Sequence, residues 1–238
     1  MTRNGIVVLV AALLGAGVAA RLGWWQLDRA AQKNALQSAL DSRRALPPLN
    51  SAALATDTAP AVAQHHRAID LQGRWLSQAT VYLDNRQMNG RPGFFAITPL
   101  LLDDGSAVLV QRGWLPRDGA DRARALAPPL PAGTVQVHGR IAPPPGRLFE
   151  FDGAASGAIR QNLKLDDFAH ELALSLRPLS VVQEEGAKPL GDGLLRQWPQ
   201  PAAGVHKHYG YAFQWFALSA LILGLYVWFQ LIRPRREA

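Results

Sequence analysis

The chain has 238 residues, 48% of them hydrophobic, a net charge of +7 and no cysteine. Without cysteine there are no disulfides, no thiol nucleophile and no thiolate metal site. The 25 Lys and Arg residues are scattered between apolar ones, with no recognition helix, finger or ribonucleoprotein motif, so the positive balance argues for anionic headgroups rather than nucleic acid.

Apolar residues concentrate at the two ends. Gly5–Leu22 carries no formal charge except Arg21 and runs into the Trp24-Trp25 pair. Val18-Ala19-Ala20 offers a signal-peptidase cut, but the apolar run is longer than the roughly 7–15 residues of a signal core. Paired tryptophans also suit a membrane interface. The expectation is a retained span at residues 5–25, with Met1 or Thr2 kept in the mature protein. Gln26–Ala45 continues as helix, with an apolar stripe of Leu27, Ala30, Ala31, Leu36 and Leu40, and stops at Pro47-Pro48. Asn50–Ala63, rich in Ala, Thr and Pro, reads as loop.

From Ile69 the period changes to two. Thr80–Leu83, Phe94–Thr98 and Ala107–Arg112 are strands separated by the turns Asn89–Gly93 and Asp103-Asp104-Gly105, an antiparallel meander. Thr134–Ile141, Ala158–Leu163 and Leu179–Glu184 are further strands. One helix interrupts them, with Asp166 as its cap and Phe168, Leu172 and Leu176 on one side. Tyr209–Ile232 then has no formal charge and has aromatics near both ends, which describes a second span at residues 209–232. The expected fold class is a membrane protein. Two transmembrane α-helices flank a mainly antiparallel β soluble domain at residues 26–207, barrel- or sandwich-like, with one or two short helices. A basic tail follows at residues 233–238. Arg233, Arg235 and Arg236 place that tail in the cytoplasm. Two spans return the N-terminus to the same side, and the middle domain faces the periplasm across the inner membrane.

Hydrolase, zinc-protease, phosphate-loop and dinucleotide motifs are absent from the sequence, so no catalytic residue is assigned. The adjacent carboxylates Asp103-Asp104, Asp166-Asp167 and Glu184-Glu185 read as solvated turns, because neighbours on a strand face opposite sides. His65-His66 reads as exposed, and His138 and His170 as ordinary polar positions. His206 and His208 differ, standing where the second span meets water. A neutral imidazole there can ligate haem iron or hydrogen-bond to headgroups. Trp24, Trp25, Gln26 and Arg29 reach the same boundary from the first span. Arg29 can pair with a carboxylate or serve as an interface anchor. Offsets of three and seven put His208, Tyr211 and Trp215 on one helical stripe.

Four collinear motifs carry a resemblance. They are Leu22-Gly23-Trp24-Trp25-Gln26-Leu27-Asp28-Arg29 with Lys33, and Gly73-Arg74-Trp75 leading through Gly90–Gly93 to Thr98-Pro99-Leu100. The others are Val108–Pro116 and His208–Phe216. The chain resembles the surfeit-locus (Surf/Shy) family of cytochrome c oxidase assembly proteins in its bacterial form. Gln111 departs from the Asn of many relatives, and the tract at residues 50–68 has no counterpart. The resemblance implies a non-enzymatic assembly factor for haem-copper oxidases that binds haem a as cargo and assists its insertion into the catalytic subunit. A haem-free scaffold and a tethered envelope enzyme are the competing readings. The resemblance further implies His208 as the axial ligand to the haem iron, Tyr211 and Trp215 as its companions, and Trp25, Gln26 and Arg29 as support from the first helix. The implied partners are oxidase subunit I and other oxidase assembly factors, with haem a synthase as a further one, besides membrane lipid.

Overall fold

The computed structural model describes residues 3–117, 130–149, 157–186, 190–199 and 202–233. In chain order the elements are α1 (Arg3–Arg44), β1 (Leu49–Asn50), α2 (Thr58–Gln64), β2 (Ala68–Trp75), β3 (Val81–Met88), β4 (Arg91–Leu101), β5 (Ala107–Pro116), β6 (Thr134–Ala142), β7 (Ile159–Arg160), α3 (Leu165–Leu172), β8 (Leu176–Gln183) and α4 (Val205–Val227), with a π-helical turn at Trp228–Ile232. They form two compact units, Met1–Ala39 with Gln200–Ala238, and Leu40–Pro199.

In the first unit, α1 and α4 are long and apolar enough to cross a membrane. They run antiparallel. Ser219 Oγ donates to the Ala16 carbonyl (2.9 Å), Trp24 meets Phe216 edge-on, and Lys33 Nζ donates to the Ala203 carbonyl (3.1 Å). The α1 contact face is Ala16, Ala19, Gly23, Gln26 and Ala30, a spacing of three and four. Its three alanines are buried, as is Ala212 on α4. Small residues let two backbones approach where lipid removes any hydrophobic drive between helices. A Cβ at Gly23 would lie 2.8 Å from the Phe216 ring. Of the expected stripe Ala30 is buried, but Ala31 and Leu36 are exposed, and the packed face runs back through Gln26 and Gly23. In a membrane helix small size, not apolarity, marks the packed side.

The second unit is one eight-stranded sheet in the order β1-β2-β6-β8-β5-β4-β3-β7. The β3-β4-β5 meander is antiparallel as expected, and Asn89-Gly90, both at positive φ, make its first tight turn. The β2–β6 and β6–β8 ladders are also antiparallel, while β5–β8, β1–β2 and β3–β7 are parallel. The sheet curls until the end of β2 reaches β4, but only Arg74↔Leu101 and Trp75↔Leu100 pair there. It is therefore a rolled, sandwich-like sheet rather than a barrel closed along its length. A Cβ at Gly73 would lie 2.4 Å from the Leu101 carbonyl, so the bare glycine permits that approach.

Central strand β5 is buried on both faces. Val108 and Val110 enter the core inside the roll with Ile69, Leu71 and Val181. Leu109 faces the opposite way, toward Phe168 of α3. A register shift between Ala96↔Gly113 and Ile97↔Gln111 makes Arg112 the extra residue of a bulge, and β5 ends at Pro116. Gln111 donates to Ser180 Oγ at 2.8 Å, and Ser180 donates to the Pro143 carbonyl at 2.7 Å. The Gln111 amide nitrogen thus has a partner within the core.

Several local expectations change. Residues 50–63 are not one loop: Asn50 Oδ1 accepts from Ala53 N in a 3₁₀ turn, and α2 buries Ala61 completely. Short Ala-rich elements carry no periodic signal. Lys164, not Asp166, occupies the cap of α3, and Asp166 and Asp167 sit in its first turn, where carboxylates favour the positive helix end. The strand expected at Ala158–Leu163 shrinks to β7. Glu184 is not a solvated turn carboxylate but pairs with Arg44 and Arg140. Asp103 and Asp104 lie exposed in a turn as expected, Asp104 paired with the buried Arg177, and the exposed Glu185 pairs with Arg196. His65 and His66 are half-buried rather than exposed. Arg235 and Arg236 lie outside the described residues.

Candidate functional site at the helix hairpin

The fourth motif opens α4, and the first motif lies in α1 where the hairpin contacts change from apolar to polar. On the apolar side are Ala16, Ala19 and Gly23. On the polar side Lys33 holds the Ala203 carbonyl, Asn34 Nδ2 donates to the Tyr209 hydroxyl (3.2 Å), and Gln37 Oε1 accepts from Ala202 N (3.4 Å). His208 sits between them, half-buried, with Nδ1 2.7 Å from Gln26 Oε1.

That contact has a definite chemical sense. An amide oxygen only accepts, so with Gln26 Oε1 facing the ring, Nδ1 is the donor, which is the arrangement that leaves Nε2 as the nitrogen with a lone pair to offer a metal. Nε2 makes no hydrogen bond among the described residues. A metal-ligating histidine is commonly arranged this way, one nitrogen donating to an oxygen and the other left for the metal.

Of the residues expected at the site, the structure joins His208 and Gln26 directly. Trp215 is half-buried on the α4 contact side, whereas Tyr211 is about half exposed. Trp25 is also exposed, and Trp24 more so, with its ring edge on Phe216. Arg29 is exposed and donates to Gln32 Oε1 (3.0 Å). His206 is exposed and stands off the contact face that His208 occupies. Sequence reasoning missed Gly23, Phe216, Asn34 and Ser219. The alternation of small residues at three and four along α1 was the available signal for Gly23. Among the described residues no group of three or more His, Asp or Glu side chains could hold a metal ion by themselves.

A sequence model of the SURF1 family matches residues 13–220. The chain is 23% identical over 208 residues to a SURF1-like protein of Rickettsia bellii (strain RML369-C), covering 86% of this chain and 83% of that protein. It is also 23% identical over 213 residues to a SURF1-like protein of Rickettsia felis, covering 87% and 89%. Over 97 residues it is 31% identical to the cytochrome oxidase assembly protein SHY1 of Saccharomyces cerevisiae, covering 40% of this chain and 24% of that protein.

Proposed function

The chain belongs to the SURF1 family, and on that premise we propose that it is a cytochrome oxidase assembly factor that carries haem a to the catalytic subunit. The observation that supports this reading best is the 2.7 Å bond from His208 Nδ1 to Gln26 Oε1. With the amide oxygen as acceptor it leaves Nε2 turned away from Gln26 as the nitrogen that would ligate iron, and it joins two separate motifs across the hairpin.

The surrounding residues fit a flat, apolar ring with two carboxylates. Exposed aromatic faces at Tyr211 and Trp25 suit an apolar macrocycle. Arg29, on the polar side of His208, can pair with a propionate. The neutral Gln26 partner also matters for release. A carboxylate in its place would make the imidazole more basic and the iron bond stronger, whereas an amide leaves a weaker ligand suited to cargo. Haem a supplies only the transported iron porphyrin; these side chains hold and orient it.

The topology in this reading puts both termini in the cytoplasm and the β unit in the periplasm, from the basic run Arg233, Arg235 and Arg236. Its partners are oxidase subunit I, other assembly factors and haem a synthase. The test is to purify the full chain in detergent from cells that make haem a and to extract the pigment. Haem a in the extract supports the reading. A colourless protein from cells with normal haem a content and active oxidase would favour a haem-free scaffold.

A further inference from the structure

Two motifs that the hairpin site leaves unused meet in the β unit. Trp75, from the second motif, stacks under the guanidinium of Arg112, from the third, at 5.8 Å. Both line a cavity of about 340 Å³ together with Val135, Val137, Gln183 and Asp192.

The polar groups of this cavity are incompletely satisfied. The Arg112 side chain is only 3% exposed, yet its one ion pair among the described residues is to Asp192 at 3.6 Å, longer than a normal charge-assisted hydrogen bond. Asp192 is already engaged: Arg196, 1% exposed, approaches it at 2.5 Å and 3.0 Å. Arg196 also holds Glu185, at 2.8 Å. The two buried guanidiniums thus have two carboxylates between them, both close to Arg196, and Arg112 has the poorer share. The same cavity holds a second unmet group. Gln183 is buried, and its Oε1 has no hydrogen-bond partner among the described residues. Buried polar groups are normally paired, and a buried cation with no close anion calls for one.

We propose that this cavity binds a carboxylate carried on an apolar body beside an N–H donor, the chemistry of an N-acyl amino acid or of a polypeptide C-terminus. The carboxylate completes the donors of Arg112, the N–H meets Gln183 Oε1, and Trp75, Val135 and Val137 enclose the apolar part. The volume suits a group about the size of one residue. Arg112 then links the second and third motifs through a ligand, independently of the hairpin.

The test uses the full chain in detergent and follows its melting temperature as N-acetyl-phenylalanine is added. N-acetyl-phenylalanine amide is the neutral control. A short peptide ending in a free leucine carboxylate, against its amidated form, separates the two sources. A saturable upward shift with either carboxylate and not with its amide is expected, and whether the free amino acid or the peptide binds more tightly identifies the source. Arg112→Gln should remove the shift. Gln183→Met, which keeps volume and charge, should weaken binding severalfold and serves if Arg112→Gln does not fold. Equal shifts with acid and amide, no shift with any probe, or a full shift in Gln183→Met would overturn the proposal.

Discussion

Replacing Gly113 by Ala should destabilise the whole β unit. Its φ is +157°, and an added Cβ would stand 2.7 Å from Leu194 Cβ and 3.0 Å from the Leu195 carbonyl oxygen. Carbon atoms pack best at about 3.5–4.0 Å, so the Leu194–Leu195 segment must retreat by roughly 1 Å. That segment is held by a reciprocal pair, Trp114 N to Leu195 O at 2.7 Å and Leu195 N to Trp114 O at 2.8 Å. Weakening two such bonds costs about 1–2 kcal/mol. Holding a non-glycine residue in that backbone region costs about 1–2 kcal/mol more. The sum is about 3 kcal/mol, which for a unit of this size lowers the melting temperature by roughly 6–12 °C. Gly113→Glu should cost at least as much, because it adds a carboxylate beside the buried Leu194. Circular dichroism melting of the full chain in detergent reads the effect. Gly146→Ala, where a Cβ meets nothing within 4 Å, is the control. A Gly113→Ala melting temperature within about 2 °C of that control would refute the close-packing argument.

Three other outcomes follow from the geometry. Burial, and then the Arg43 charge, hold the His65 pKa below 6.5; burial, then Arg140, His65, Arg43 and Arg44, do the same for His66. The unfolded chain therefore takes up these protons first, so their contribution is complete above pH 6.5 and is lost as pH falls toward the folded values. Melting temperature should drop as pH falls below 6.5, and His65→Gln with His66→Gln should flatten that drop; an unchanged slope would count against it. Gly23→Leu should press on Phe216 and part the hairpin, at a cost of roughly 1–3 kcal/mol. In this cysteine-free chain, disulfide formation between Ala16→Cys and Ser219→Cys should then slow severalfold, and an unaltered rate would show that α1 does not need a small residue there. A reporter fused after Ala238 should be active only in the cytoplasm and one inserted near Ala55 only outside it, and the reverse pattern would invert the proposed topology.

Much of this architecture is written in local patterns. The two spans declare themselves by apolar length, the meander by period-two alternation, and its first turn by Asn89-Gly90. The end of β5 at Pro116 also has a local reason, since proline cannot donate to a ladder. Less local features were not. The parallel β5–β8 ladder joins strands about 70 residues apart, and nothing in either strand's periodicity names its partner. Along α1 the expected Ala30 lies in the packed face but Leu36 does not, because close approach of two helices selects small residues such as Ala30 and Gly23. At the site, helical offsets brought His208 to the correct face but could not place its partner. The hydrogen bond to Gln26, rather than contact with Trp25 or Arg29, depends on how the two helices are rotated against each other.

The central claim is that His208 holds the cargo iron through Nε2, and one comparison tests it most directly. The full chain, His208→Ala and His206→Ala are purified from the same haem a-producing cells, and haem per protein is measured by absorbance and pigment extraction. His208→Ala should lose most or all of the haem at near-normal protein yield, while His206→Ala, off the contact face, should keep it. Full haem with an unchanged spectrum in His208→Ala would contradict the assignment and return the boundary residues to the role of membrane anchors.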